Sequence, residues 1–354
     1  MRVADKLMRA AAWYAIVACV LLVACGEPSA DVAKTPLMPG FDKAQADFQS
    51  LQLRGAGNKV LVSLHRVGDG WRVAERGDWA ADAGRISQYL FVLSQARRMQ
   101  AKTSDPRLYS RLGVEPIGAP AAKSLELTLS GKGRQWRLVI GNEHPRLDGY
   151  YVRVDAEPGS WLTDLPVYFD PDPKVWLDHR LVDIPLARMA KVAVSDTSGK
   201  PFSLSHRDDR FRLDDAPSGA MHDSFQGDAM AGALDHLQFE DVALDDGHAD
   251  TLRRLDFTAV DGMVIQIGLV ADGERFWIRL RAGRDAAVAG AWAVLSEKNA
   301  ASLAASVAAP VSALEPRIAA LNKAWVGRRF LLADPLATTL MLDHEQILSG
   351  PIKP

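Results

Sequence analysis

Residues 59–99 read KVLVSLHRVGDGWRVAERGDWAADAGRISQYLFVLSQARRM, and the pattern in this stretch decides the fold. Val60, Val62 and Leu64 alternate with polar residues, which is strand periodicity. Asp69-Gly70 marks a turn, Trp71 and Val73 alternate back, and a helical pattern follows. Near residue 202 the chain does this again, as FSLSHRDDRFRLDDAPSGAMHDSFQGDAMAGALDHLQFEDV, with Phe211 where Trp71 stood. A hairpin followed by a helix, used twice, predicts two similar modules.

Working outward, Asp82 is placed to cap the first helix, and Ile86, Tyr89, Leu90, Leu93 and Ala96 form one apolar stripe. A short helix around Tyr109 ends at Gly113. Leu125, Leu127 and Leu129 then alternate with polar residues. Gly131-Lys132-Gly133 turns, and Trp136, Leu138 and Ile140 return. Tyr150–Val154 adds a further strand. In the second copy Asp228 is the expected cap, with Met230, Ala233, Leu234 and Leu237 on the helix face. Leu255 and Phe257 lead through Asp261-Gly262 to Met263, Ile265 and Ile267. Ile267-Gly268 answers Ile140-Gly141, and Trp277-Ile278-Arg279 answers Tyr151-Val152-Arg153. Period-two strands with one polar face predict antiparallel sheet half covered by helix. The fold class is therefore α+β: two tandem repeats of antiparallel sheet with a packed helix, plus a helical C-terminal segment. Two copies are too few for an open solenoid and predict two packed domains or one pseudo-twofold body.

The N-terminus sets the expected location. Residues 1–9 carry Arg2, Lys6 and Arg9, and Ala10–Ala24 is unbroken apolar sequence. Fifteen helical residues span about 22 Å, short of a bilayer core of about 30 Å, which is the layout of a cleaved export signal. Leu22-Val23-Ala24-Cys25 resembles the lipobox of bacterial lipoproteins, in which the cysteine is acylated and becomes the N-terminus. Gly26, not Asp, follows Cys25, which by that resemblance favours the outer membrane over the inner. The alternative is an uncleaved anchor. The expected organisation is a signal over 1–24, a flexible tether over 25–46, a first repeat over 47–165 and a connector over 166–185. A second repeat over 186–295 and a helical tail over 296–354 complete it. Ser296 would cap an Ala-rich helix broken at Pro310, before another from about Leu314 to Trp325.

Composition narrows the function. Hydrophobic residues at 48% and charged ones at 24% are ordinary globular values. The formal net charge of −2, with no polybasic block, makes nucleic acid a poor partner. Both cysteines, Cys19 and Cys25, lie in the apolar leader region, so no disulfide framework, Cys metal site or catalytic thiol is expected in the body.

The register of Asp-Gly-Trp-Arg-Val at 69–73, Tyr109…Leu112-Gly113-Val114…Pro116, Ile140-Gly141…Tyr151-Val152-Arg153 and Trp176…Arg180-Leu181 resembles the bacterial DUF4340 family, over about 48–295. The resemblance implies an accessory role at the membrane, because such proteins are often encoded near ABC-type transporters and gliding-motility-like components. It supplies no catalytic residues. Many relatives look anchored by a transmembrane helix, and the lipobox departs from that.

No motif here carries catalysis. Gly55-Ala56-Gly57 and Gly131-Lys132-Gly133 do not continue as nucleotide fingerprints and read as turn glycines. His222-Asp223-Ser224 are neighbours on a loop and cannot form a triad among themselves. Asp245-Asp246-Gly247-His248-Ala249-Asp250 lacks the alternating ligands and terminal Glu of a calcium loop and reads as a solvated turn. No catalytic residue, metal site or cofactor is assigned. Arg180 beside Trp176 has the chemistry to hold a carboxylate or to clamp the repeats together, and Trp79 reads as an exposed aromatic. These three residues mark the expected partner or inter-repeat surface. The functional expectation is a lipid-anchored, non-catalytic accessory or binding protein of the bacterial envelope with an envelope protein partner. The alternatives are a periplasmic small-molecule or lipid carrier, with its cleft between the repeats near Trp176 and Arg180, and a hydrolase, which needs Asp and His side chains converging in one concave site.

Overall fold

The computed structural model describes residues 35–44, 47–154, 157–196, 200–207, 209–216, 224–291 and 314–349. Cys25, the leader, His222, Asp223, Ser296 and the Ala-rich stretch through Pro310 lie outside the described residues.

Alternation in the sequence becomes a run of antiparallel ladders. The chain passes through β1 (Thr35–Pro36), β2 (Ser50–Gly55), β3 (Lys59–Val67), β4 (Gly70–Val73) and β5 (Trp79–Ala80) before helix α1 (Ala83–Gln95). Then come β6 (Arg97–Ala101), the short helix α2 (Tyr109–Leu112), β7 (Leu125–Gly131), β8 (Arg134–Glu143), β9 (Tyr150–Val154) and β10 (Ser160–Thr163). Further on lie β11 (Arg180–Val182), β12 (Met189–Asp196), β13 (Phe202–Arg207), β14 (Arg210–Leu213) and α3 (Ser224–Ala231). They are followed by β15 (Leu237–Gln238), β16 (Asp241–Leu244), β17 (Arg253–Ala259), β18 (Met263–Asp272) and β19 (Arg275–Arg284). The described chain closes with α4 (Leu314–Trp325), β20 (Arg328–Leu331), α5 (Asp334–Leu340) and α6 (His344–Ser349). The class is α+β. Among the described residues no helix is long and apolar enough to cross a membrane.

The chain divides into two compact units, and the division is not the contiguous one expected. The first takes the chain to Leu61 and then Gly84–Pro171; the second takes Val62–Ala83 and everything from Asp172. The hairpin and the helix of residues 59–99 therefore part company. The hairpin's chemistry gives the reason. Arg76 Nε donates to Asp241 Oδ1 at 2.6 Å, and Asp178 N–H donates to Ala80 O at 2.9 Å. Trp79 meets Phe239 and Phe330 edge-on at 5.6 and 4.9 Å.

In the first unit the sheet order is β1-β6-β10-β9-β8-β7-β2. Leu127, Leu129, Leu138 and Ile140 face inward, and Ile86, Leu90 and Leu93 of α1 are buried as their stripe requires. Leu37, Met38 and Phe41 are buried too, so the stretch expected as tether is folded over residues 35–44. It lacks any helix or strand period because its apolar residues pack from irregular backbone, and periodicity cannot see that. Arg98 pins this segment, donating to Leu37 O at 3.2 Å while holding Glu157 with two 2.8 Å bonds.

In the second unit the large sheet runs β14-β13-β12-β17-β18-β19-β20-β16, and β11 pairs with β15 as a separate small ladder. The meander β12-β17-β18-β19 has the same strand order as β2-β7-β8-β9. Asp228 does not cap α3. Its carboxylate accepts the Phe211 N–H at 2.8 Å and Arg210 Nη1 at 2.6 Å, tying the helix to its hairpin. Leu237 lies in β15 and not on the helix. Arg253, 4% exposed, is fully satisfied: it pairs with Asp196 and donates to Leu340 O and Leu342 O at 3.0 and 2.8 Å. This closes the C-terminal helices onto β17.

Candidate functional site: a groove beside the small ladder

The site grows from the loop-rich stretch after Pro171. Asp172 accepts the Lys174 N–H at 2.9 Å and starts a 3-10 turn, Pro173–Trp176, whose proline fits the first helical position. That turn buries the Trp176 ring completely. The backbone then extends into β11, where Arg180 and Val182 pair with Gln238 and Leu237.

Arg180 and Trp176 are not an exposed pair. Arg180 turns back on Asp178, with Nε–Oδ1 and Nη2–Oδ2 both at 2.9 Å. These hydrogen bonds hold the Asp178 carboxyl below the usual carboxylate range against an opposing effect of burial, and they raise the guanidinium. Trp79, expected at the surface, is 7% exposed; its indole N–H donates to Asp178 O at 2.9 Å. The sequence context of a loop before a helix hid the aromatic pocket formed by Phe239 and Phe330, residues far away in sequence. His179 braces the same pocket, its ring nitrogens 2.7 Å from Phe239 O and 3.1 Å from Lys174 O. Asp178-His179-Arg180 is thus a clamp within the second unit.

Arg180 does line a groove of about 350 Å³, with Leu181, Asp183, Leu237, and Arg317 and Leu321 from α4. Arg317 is half-buried and has no hydrogen bond or ion pair among the described residues. The groove thus has an aliphatic floor and two guanidinium groups, one already committed to Asp178 and one free. Such an arrangement suits a ligand with an apolar body and an anionic group.

At its rim, Asp183, Asp235 and His236 bring potential metal ligands within 4.8 Å of one another, all from exposed residues. The ring of His236 already faces Asp183 at 3.1 Å and Asp235 at 3.6 Å, so a cation would have to displace these ion pairs. Asp245 is engaged by Arg279 at 2.6 and 2.9 Å, and its loop closes on Gly247 and His248 N–H groups, as a solvated turn does.

Sequence reading missed Arg317, Asp183 and His236, which are brought together only by folding. It also missed a cleft of about 340 Å³ in the first unit, lined by Arg85, Tyr89, Val92, Val167, Tyr168 and Phe169. The spacing of Arg85, Tyr89 and Val92 along one helix face was the available signal. Burial raises the Tyr89 and Tyr168 phenols, and the negative charge of Asp170 adds to it.

A two-unit α+β protein with open surface grooves is the class these features define. The sequence profile of DUF4340, a domain of unknown function, matches residues 71–257, more than half of the chain. The chain belongs to that family. No curated protein and no solved structure matches it.

Proposed function

We propose that this chain is a lipid-anchored, non-catalytic accessory or binding protein of the bacterial cell envelope, working beside an ABC-type transport or gliding-motility-like complex. The groove of Arg180 and Arg317 carries the binding part of the reading: a guanidinium with no protein partner among the described residues, beside aliphatic side chains, can give an anionic group charge-assisted hydrogen bonds. The leader and Cys25 support export and a lipid anchor facing the periplasm, and Gly26 favours the outer membrane. Histidine–carboxylate pairs at His65, His236, His248 and His344 stand at four separate places, which supports binding over hydrolysis. Tagged full-length protein and its Arg180→Ala/Arg317→Ala variant, pulled down from solubilised membranes, test this. An envelope protein recovered with the first and lost with the second is expected. Recovery of no envelope partner with either overturns the proposal.

The groove's volume also suits a small-molecule or lipid carrier, since it falls within the range of ligand sites, about 300–1,000 Å³. Native mass spectrometry showing a co-purified ligand that the double variant loses would favour that second reading.

A further inference from the structure

The hairpin turn at Lys132-Gly133 does more than reverse the chain. Both residues have positive φ, +45° and +75°. The tip is pressed against the N-terminal segment so closely that a Cβ on Gly131 would sit 2.1 Å from Asp47 O. Between them lies a pocket of about 360 Å³ lined by Lys43, Asp47, Lys132, Arg134 and Trp136. Lys132 is ion-paired with Asp47, the pocket's one carboxylate. Lys43 and Arg134 have no carboxylate partner among the described residues, and the Arg134 guanidinium rests 3.7 Å from the centre of the Trp136 ring. Trp136 is 8% exposed, held edge-on by Phe41 at 5.6 Å, and its indole N–H has no acceptor. Lys43 and Arg134 are exposed, and with Lys132 they set three cations against the single carboxylate of Asp47 among the lining residues, a balance that favours an oxyanion.

The pocket's place in the chain indicates which oxyanion. Its wall is the first described segment, and Thr35 follows Cys25 by only ten residues, a reach of at most about 35 Å. We propose that this pocket binds the phosphate of an anionic phospholipid headgroup and seats the first unit on the membrane surface. The choice of a lipid source rests on the anchor reading above; the phosphate chemistry does not.

The test uses the full-length protein in neutral detergent and calorimetric titration with three probes: dihexanoyl-phosphatidylglycerol, dihexanoyl-phosphatidylcholine and inorganic phosphate. Saturable binding of the glycerol lipid is expected, with the choline lipid much weaker. Lys43→Ala/Arg134→Ala should weaken it by roughly thirtyfold, and Arg134→Gln alone by roughly fivefold, with circular dichroism unchanged. Equal affinity for the two lipids, or no loss in either variant, overturns the site. Inorganic phosphate binding as tightly as the glycerol lipid overturns the membrane source. The mass of the purified N-terminus reports acylation at Cys25 separately, so failure of the anchor and failure of the pocket are told apart.

Discussion

The hairpins β3-β4 and β13-β14 look alike in sequence and are used differently. In both, paired antiparallel strands bury their inward residues: Val62, Leu64, Trp71 and Val73 in one, Phe202, Leu204, Phe211 and Leu213 in the other. The second stays with the helix that follows it, because Asp228 of α3 accepts from the Phe211 backbone and from Arg210. The first is separated from α1, and its outgoing chain is fastened to the second unit through Arg76, Trp79 and Ala80. The difference teaches that a hairpin's fold is local, while its allegiance is set by whichever side chains leave it for a distant partner.

The strongest way to break the comparison is Trp79→Ala. Removing this buried ring should cost about 3–5 kcal/mol. Hydrogen exchange should then show protection lost across β17–β19 and retained across β7–β9; the reverse pattern would return the hairpin to the first unit. Asp241→Ala leaves half-buried Arg76 without its carboxylate and should cost about 1–3 kcal/mol in urea unfolding. Asp228→Ala, which orphans the Phe211 N–H, should cost a similar amount and should expose α3 first. Gly227→Ala sharpens the same point: its Cβ would lie 2.4 Å from Phe211 O, so α3 must move off β14, for about 1–3 kcal/mol by thermal unfolding.

The smallest effect concerns Asp178. Its pKa is depressed in the folded protein, so the pair with Arg180 contributes stability above the ordinary carboxylate pKa near 3.9 and loses it as pH falls through the folded value. Arg180 is largely exposed, so Arg180→Ala should cost only a few tenths of a kcal/mol at neutral pH. It should also flatten the acid limb of the stability profile, read by urea midpoints between pH 2 and pH 6.

Much of the local structure was legible in both units. The hairpin from Leu125 to Ile140, the end of α2 at Gly113 and the span of α4 stand where alternation, glycine and helical spacing put them. Trp71 and Trp136 are buried, in line with their places in the alternating strands. The turn expected at Asp69-Gly70 falls one residue earlier, since Val67 pairs with Gly70. Of the residues singled out for a surface, Arg180 alone lines the groove; Trp79 and Trp176 are buried.

Local periodicity along the chain was sufficient for the α+β class and for most ladders, because strand and helix periods are written in consecutive residues. Which unit the first hairpin joins, where Leu37, Met38 and Phe41 pack, and the meeting of Arg180 with Arg317 were decided only in three dimensions. Each depends on side chains scores of residues apart, and no spacing rule reports a contact that the chain makes only after it has folded back on itself.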